Sequence, residues 1–142
     1  MEFYLKEIVD YGVLGLLGIM SVVALAIVFE RISFYRSIQL ESFSQKGTLE
    51  IALSKHLTLL SSIATNAPYV GLLGTVFGVM LTFVQVHQNS SNSEEVMLGL
   101  ALALKATAFG LLVAIPSLFC YNLLVRKSEV ILTEWEVLNK RD

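Results

Sequence analysis

The sequence has few charged residues for its length of 142. Asp, Glu, Lys and Arg together make up 15% of it, whereas soluble domains carry about a quarter. Hydrophobic residues make up 55%, and the mean hydropathy is +0.69. This composition excludes an ordinary soluble domain and indicates an integral membrane protein.

The residues that usually build active sites and metal sites are also scarce. The one cysteine, Cys120, excludes an internal disulfide and a cysteine-based metal cage, and we interpret it as a small packing residue. His56 and His87 stand singly at the predicted membrane edges. The sequence contains no Ser/His/Asp set, no paired carboxylates, no phosphate-binding loop and no basic patch. We therefore expect no catalytic residues, metal or cofactor, and no nucleic-acid partner.

Three long apolar runs dominate the chain, over residues 11–29, 57–86 and 96–125, and Lys105 is the one charge within them. Each run is long enough to cross a bilayer. We predict an all-α integral membrane protein with three transmembrane helices, in a single membrane domain over residues 1–142. Residues 1–10 contain one basic side chain, Lys6, and the first run is long for a signal peptide. This run is therefore expected to remain as a helix.

Basic residues are distributed unequally between the segments that flank these runs. Residues 30–56 contain four Lys or Arg and residues 126–142 contain four, whereas residues 1–10 contain one and residues 87–95 none. The positive-inside rule therefore predicts that the N-terminus and the connector 87–95 face the outside. It places the segment 30–56 and the tail 126–142 in the cytoplasm.

The segments outside the spans carry weaker signals. Residues 2–11 alternate charged and apolar side chains, which fits a short helix on the outer membrane surface or a frayed terminus. Helical character continues past Phe29, so the first helix is predicted to extend into the cytoplasm. Residues 45–48 indicate a turn, after which a helix restarts at Thr48. Three glycines in the first span offer a small face for another helix: Gly12, Gly15 and Gly18.

Two threonines share one predicted depth in the membrane. Thr75 lies 11 residues before Val86, and Thr107 lies 11 residues after Val96. At about 1.5 Å per residue, both hydroxyls lie roughly 17 Å from the outer connector. That depth is near the middle of a hydrocarbon layer about 30 Å thick.

Each threonine also belongs to a stripe of small residues on its helix. The first stripe comprises Gly71, Gly74, Thr75, Gly78, Thr82 and Gln85. The second comprises Ala103, Thr107, Gly110 and Ala114, with Gly99 and Ala106 at its edge. Such faces let helices pack closely, with hydroxyls bonded to carbonyls or to a partner helix. The alternative is a seam that conducts water or ions, which needs uncharged hydrogen-bonding groups. The shared depth favours this pathway.

Lys105 is the one ionisable residue inside a predicted span. Placing it there costs about 2.5–3.5 kcal/mol on insertion scales, so a purpose or a partner is expected. On a helical wheel it lies about 160° from Thr107. It could snorkel to water, or pair with an acid on another subunit or a partner protein. Its depth of about 14 Å from the outer end favours an ion pair.

Two prolines interrupt the predicted helices in their cytoplasmic halves, Pro68 in the second span and Pro116 in the third. Proline removes a backbone hydrogen bond and frees the carbonyl four residues earlier. Each is therefore either a helix kink that splays the helices or a proline that the membrane environment tolerates.

The sequence of residues 66–80, NAPYVGLLGTVFGVM, closely resembles the ExbB/TolQ/MotA family of ion-driven motors. The last helix adds ATAFGLLVAIP at residues 106–116, followed by Tyr121 and Asn122. The ExbB branch is the most similar, with TolQ next, and the additional helix of the MotA branch is missing.

This resemblance implies a multispan protein of the bacterial inner membrane. Five such subunits would form a helical ring around a pair of single-span ExbD-like helices. Proton flow would be coupled, through a TonB-like protein, to outer-membrane uptake of iron complexes and vitamin B12. Thr75 and Thr107 would line the pore beside the proton-accepting aspartate of the ExbD-like partner.

One position departs from the family pattern. Many relatives carry a glutamate five residues before the second threonine, where this chain has Leu102. A proton relay centred on this glutamate therefore cannot be carried over from the family to this chain. We hypothesise that Lys105 instead forms an ion pair with another subunit or with the ExbD-like partner. The alternatives are a TolQ-like role in the cell envelope and a structural helix bundle that conducts nothing.

Overall fold

The computed structural model describes residues 2–89 and 93–140. Four α-helices follow one another: α1 Glu2–Ser37, α2 Lys46–Ser54, α3 Leu57–Asn89 and α4 Ser93–Lys140. A short 3₁₀ helix, Leu40–Ser42, lies between the first two. The described residues contain no strand. Three of the helices, α1, α3 and α4, are long and apolar enough to cross a membrane. The predicted all-α architecture with three spans is confirmed, and the connector predicted at 87–95 lies partly outside the described residues.

The spanning helices are longer than the apolar runs. Helix α1 has 36 residues and α4 has 48, so α4 is about 72 Å long and extends far beyond a hydrocarbon layer of about 30 Å. The predicted extension of α1 beyond Phe29 is confirmed, since the helix continues to Ser37. A separate surface helix over residues 2–11 is wrong, because these residues continue directly into α1 without a break.

Both prolines lie inside helices that continue past them. Helix α3 contains Pro68 and α4 contains Pro116. In α4 the hydroxyl of Ser117 donates to the carbonyl of Val113 at 2.6 Å. In α3 the amide of Asn66 donates to the carbonyl of Ser62 at 2.7 Å. Polar side chains thus bond to carbonyls close to each proline, and a kink stays a prediction.

Helix α2 begins earlier than predicted. Lys46 is its first residue, so residues 46–48 form a helical turn rather than the predicted connecting turn. The physical reason is the burial of Leu49 and Leu53, which are 0% and 2% exposed and lie four residues apart on one helical face. The helix ends before His56, whose φ of 68° interrupts the helical backbone between α2 and α3.

A hydrophobic core holds the segment 38–56 against the spanning helices. Leu49 and Leu53 of α2 pack there with Leu60 of α3 and Trp135 of α4. The indole Nε1 of Trp135 donates to the carbonyl of Phe43 at 3.0 Å. This bond links the loop before α2 to the far end of α4.

A surface ion pair lies beside this core. The Lys46 ammonium contacts the Glu136 carboxylate at 2.6 Å and lowers the pKa of that carboxyl below its ordinary value. Both side chains are solvent-exposed or nearly so, and such pairs contribute little to stability. The apolar contacts therefore contribute more than this ion pair to holding α2 in place.

Arg31 fixes the end of α2 to α1. Its side chain is 1% exposed, and its Nη1 donates to the carbonyls of Ala52 at 2.7 Å and Leu53 at 3.3 Å. The hydroxyl of Tyr35, one turn further along α1, also donates to the Leu53 carbonyl. Carbonyls in the last turn of a helix have no intrahelical partner, so these donors satisfy them. Sequence analysis treated Arg31 only as a topology signal and missed this anchor.

Candidate functional site: a threonine pair between α3 and α4

The two stripes of small residues face each other across the α3–α4 interface. A Cβ atom added at Gly71 would lie 2.6 Å from the carbonyl oxygen of Ala106 and 3.0 Å from the Cα of Gly110. A Cβ added at Gly110 would lie 2.8 Å from the carbonyl oxygen of Ala67. These neighbours are backbone atoms, which cannot rotate away. Only glycine therefore allows α3 and α4 to approach this closely.

The same tight packing continues toward the end of α3 that leads to the connector with α4. A Cβ added at Gly74 would meet the Cβ of Ala106 at 2.7 Å, and one at Gly78 would meet the Cβ of Ala103 at 2.8 Å. Toward the other end, Ala114 packs in a small core with Leu17 of α1 and Ala67 of α3. Ala106, which the wheel placed at the edge of its stripe, is buried in the interface.

Thr75 and Thr107 meet in the middle of this interface. The Thr75 hydroxyl donates to the carbonyl of Ala103 at 3.0 Å, and the two threonine Oγ1 atoms are hydrogen-bonded to each other. A hydroxyl has one proton and two lone pairs. Because the Thr75 proton is used on the carbonyl, Thr107 donates to Thr75. The lone pairs of Thr107 remain available.

This arrangement gives the pair a defined chemistry. Both side chains are half-buried, so neither is closed off from a neighbouring group. The runs 57–86 and 96–125 contain no Asp or Glu. The threonine pair therefore offers lone pairs that accept hydrogen bonds. The group that donates a proton to these lone pairs must be water or belong to another chain.

Thr82 shares the wheel position of Thr75 but not its surroundings. It is 3% exposed, and its hydroxyl donates to the carbonyl of Gly78 at 2.9 Å, within its own helix. A Cβ added at Gly99 would lie 2.8 Å from its Oγ1 atom. Thr82 is therefore a packing residue against Gly99, and its hydroxyl is already bonded.

Lys105 lies on the outside of the helix pair. It is exposed, whereas the next residue, Ala106, is 7% exposed and faces α3. Lys105 makes no ion pair within the part of the chain that the structure describes. Leu102, at the position where many relatives carry glutamate, is 42% exposed. An ion pair of Lys105 with a group outside this chain remains a prediction.

Residues 36–137 match a family model described as "MotA/TolQ/ExbB proton channel family". The chain belongs to this family. The match includes both threonines and the whole α3–α4 interface. It confirms the resemblance drawn from the motifs of the last two helices, and the family is one of proton channels rather than of enzymes.

Several named proteins of the family align with this chain over almost its whole length. It is 52% identical over 136 residues to "Biopolymer transport protein ExbB" of Aquifex aeolicus, covering 95% of this chain and 92% of the relative. It is 49% identical over 136 residues to "Putative biopolymer transport protein ExbB-like 2" of Helicobacter pylori, covering 95% and 91%. A further Helicobacter pylori protein, "Biopolymer transport protein ExbB", is 45% identical over 135 residues, covering 94% and 93%.

Proposed function

We propose that this chain is the multispan subunit of an ExbB-like motor driven by the proton-motive force. The observation that carries the proposal is the pair of bonded hydroxyls of Thr75 and Thr107, half-buried between apolar helices without any acid. Membership of a proton channel family and relatives named for biopolymer transport support it. ExbB-named relatives favour this role over a TolQ-like one.

The titrating group is a carboxyl of a single-span, ExbD-like partner. In its protonated form this carboxyl donates to the free lone pairs of Thr107, whereas a carboxylate has no proton to donate. Protons pass along the threonine-lined interior and load the partner acid. Neutralising this acid lets the partner helices shift against the surrounding subunits, and a TonB-like protein transmits the motion to outer-membrane uptake.

The assembly is a homo-oligomeric ring in the bacterial inner membrane, with a periplasmic N-terminus and a cytoplasmic C-terminus. Large apolar side chains cover the outside of the single chain and support burial against lipid and other subunits. They include Leu25, Phe83, Leu104, Leu112 and Phe119, which are all more than half exposed. The basic residues flanking the spans support the orientation.

Proton flux in proteoliposomes tests the proposal most directly. The chain would be co-purified with its ExbD-like partner, its subunits counted by native mass spectrometry, and the flux measured under an imposed membrane potential. We expect a stable complex and a flux that requires both proteins. A complex that assembles but conducts no protons would instead indicate a structural scaffold.

A further inference from the structure

A long groove separates α1 from α4 in the half of the spans that carries the basic residues. It consists of two adjoining cavities of about 200 Å³ and 460 Å³, which share Val28 and Cys120 in their lining. Along α1 the lining extends from Ser21 to Arg36. At about 1.5 Å per residue, this is a groove of roughly 22 Å.

The inner part of the groove is apolar. Leu25 of α1 and Leu112 of α4 line it, together with the small residues Ser21, Ala24 and Ser117. The hydroxyl of Ser117 donates to a carbonyl of its own helix, so it presents no free proton to the groove. A flexible hydrocarbon chain suits this lining, because it needs no hydrogen-bond partner and can follow a narrow path between two helices.

The other end of the groove is cationic. Arg36 of α1 and Lys127 of α4 line the wider cavity from opposite sides, and both side chains are exposed. Neither forms an ion pair with any described residue. No acidic side chain lines either cavity among the described residues. Two basic residues thus line the groove mouth, and no acidic residue that the structure describes lines it with them.

Lys127 lies at the depth of the headgroup layer, and Arg36 lies just beyond it. Lys127 is two residues, or about 3 Å, beyond the end of the apolar run at Val125. Arg36 is seven residues, or about 10 Å, beyond Phe29. The headgroup layer is about 5–7 Å thick on each side. The long side chain of Arg36 can reach back toward it.

We propose that this groove is a binding site for one anionic phospholipid. The phosphate lies between Arg36 and Lys127, and an acyl chain follows the apolar groove past Cys120 toward Leu112. Arginine binds phosphate oxygens through two parallel hydrogen bonds, and lysine adds a point charge. A zwitterionic lipid carries its own cation in the headgroup and gains less from this pair. If a helix of a second copy filled the groove instead, neither lipid would be retained there.

Native mass spectrometry of the purified full-length oligomer tests the site. The probes are phosphatidylglycerol and phosphatidylcholine with identical acyl chains, and glycerol phosphate as a headgroup without chains. We expect phosphatidylglycerol to be retained preferentially. Equal retention of the two lipids, or displacement of the lipid by glycerol phosphate, would overturn the proposal.

A pair of double variants localises the binding. Arg36→Gln with Lys127→Gln should weaken retention of phosphatidylglycerol about 30-fold, because each basic contact near an anionic headgroup contributes roughly fivefold. The matched control is Arg126→Gln with Lys140→Gln, which removes the same charge from α4 outside the groove. An equal loss in both double variants would indicate a general charge effect and overturn the site. Unchanged oligomer mass and helical content verify that each variant folds.

Photo-crosslinking tests where the acyl chain of the bound lipid lies. Phosphatidylglycerol with a diazirine in one acyl chain should crosslink to the peptide 106–126, which contains Cys120 and Leu112. The crosslink yield within residues 106–126 should fall in the groove double variant and persist in the control. A crosslink spread evenly over the three spans would contradict a defined groove.

Discussion

Thr75 on α3 and Thr107 on α4 share a hydrogen bond between their hydroxyls, although they are 32 residues apart in the sequence. The direction of this bond follows from the bond that Thr75 donates to the Ala103 carbonyl. Thr107 is therefore the member of the pair whose lone pairs are free. The two threonines have different roles, and they should respond differently to substitution.

Thr107→Val removes the free acceptor and should reduce proton flux by roughly tenfold, the effect of one hydrogen bond to a charged or strongly polar group. Flux in proteoliposomes with the ExbD-like partner measures it. Thr107→Ser keeps the hydroxyl and should restore most of the flux. The matched control is Thr82→Val, because the Thr82 hydroxyl bonds only to its own helix. Normal flux in Thr107→Val would mean that the threonine pair only packs.

Thr75→Val should also reduce proton flux, by a smaller factor than Thr107→Val. The Thr75 hydroxyl orients Thr107 by accepting its proton, and without it the Thr107 hydroxyl turns to another acceptor. The measurement is the same flux assay, with native mass verifying the oligomer. A larger loss in Thr75→Val than in Thr107→Val would contradict the assigned direction of the hydrogen bond.

Gly71→Ala should destabilise the protein by about 2 kcal/mol, the usual cost of overpacking. Its new Cβ would lie 2.6 Å from the Ala106 carbonyl oxygen, so α3 and α4 must separate. Thermal unfolding in detergent, followed by circular dichroism, measures the loss. Gly47→Ala is the control, because its Cβ would meet no atom within 4 Å. Equal unfolding temperatures for the two variants would contradict the close approach at Gly71.

Arg31→Met should release α2 from α1. The free energy of unfolding should fall by about 3 kcal/mol, because buried polar groups lose their hydrogen-bond and charge partners. The Ala52 carbonyl loses its donor, the Leu53 carbonyl keeps only the Tyr35 hydroxyl, and the charge of Glu30 loses its partner. Limited trypsin digestion should then cut faster at Lys46 and Lys55. Arg126→Gln removes an exposed charge and should leave the digestion rate unchanged. Resistance of the Arg31→Met variant to trypsin would show that α2 is held by its apolar contacts alone.

Lys105→Met should weaken co-purification with the partner or with neighbouring subunits, since Lys105 makes no ion pair among the described residues of its own chain. Lys105→Arg keeps the charge and should retain the complex. The control is Leu104→Met, which changes an exposed apolar neighbour without altering charge. Unchanged assembly and unchanged flux in Lys105→Met would refute the ion-pair hypothesis and favour snorkelling.

The sequence by itself determined the three spans, the paired small-residue stripes and the equal depth of Thr75 and Thr107. These features depend on the length of the apolar runs, on residue size and on helical spacing, which are properties of each segment alone. It also identified the family, because the motifs of α3 and α4 fall within the matched residues 36–137.

Only the tertiary structure decided which polar groups meet. Thr75 and Thr82 occupy one face of α3, yet only Thr75 lies at the level of Thr107, because the register between two helices depends on how their glycines interlock. Likewise, the sequence alone indicates only that Arg31 is a basic residue beside a span, which is a topology signal. In the folded chain, the last carbonyls of α2 lie against its side chain. A hydrogen bond between segments far apart in sequence depends on distances of a few ångströms, and packing sets those distances.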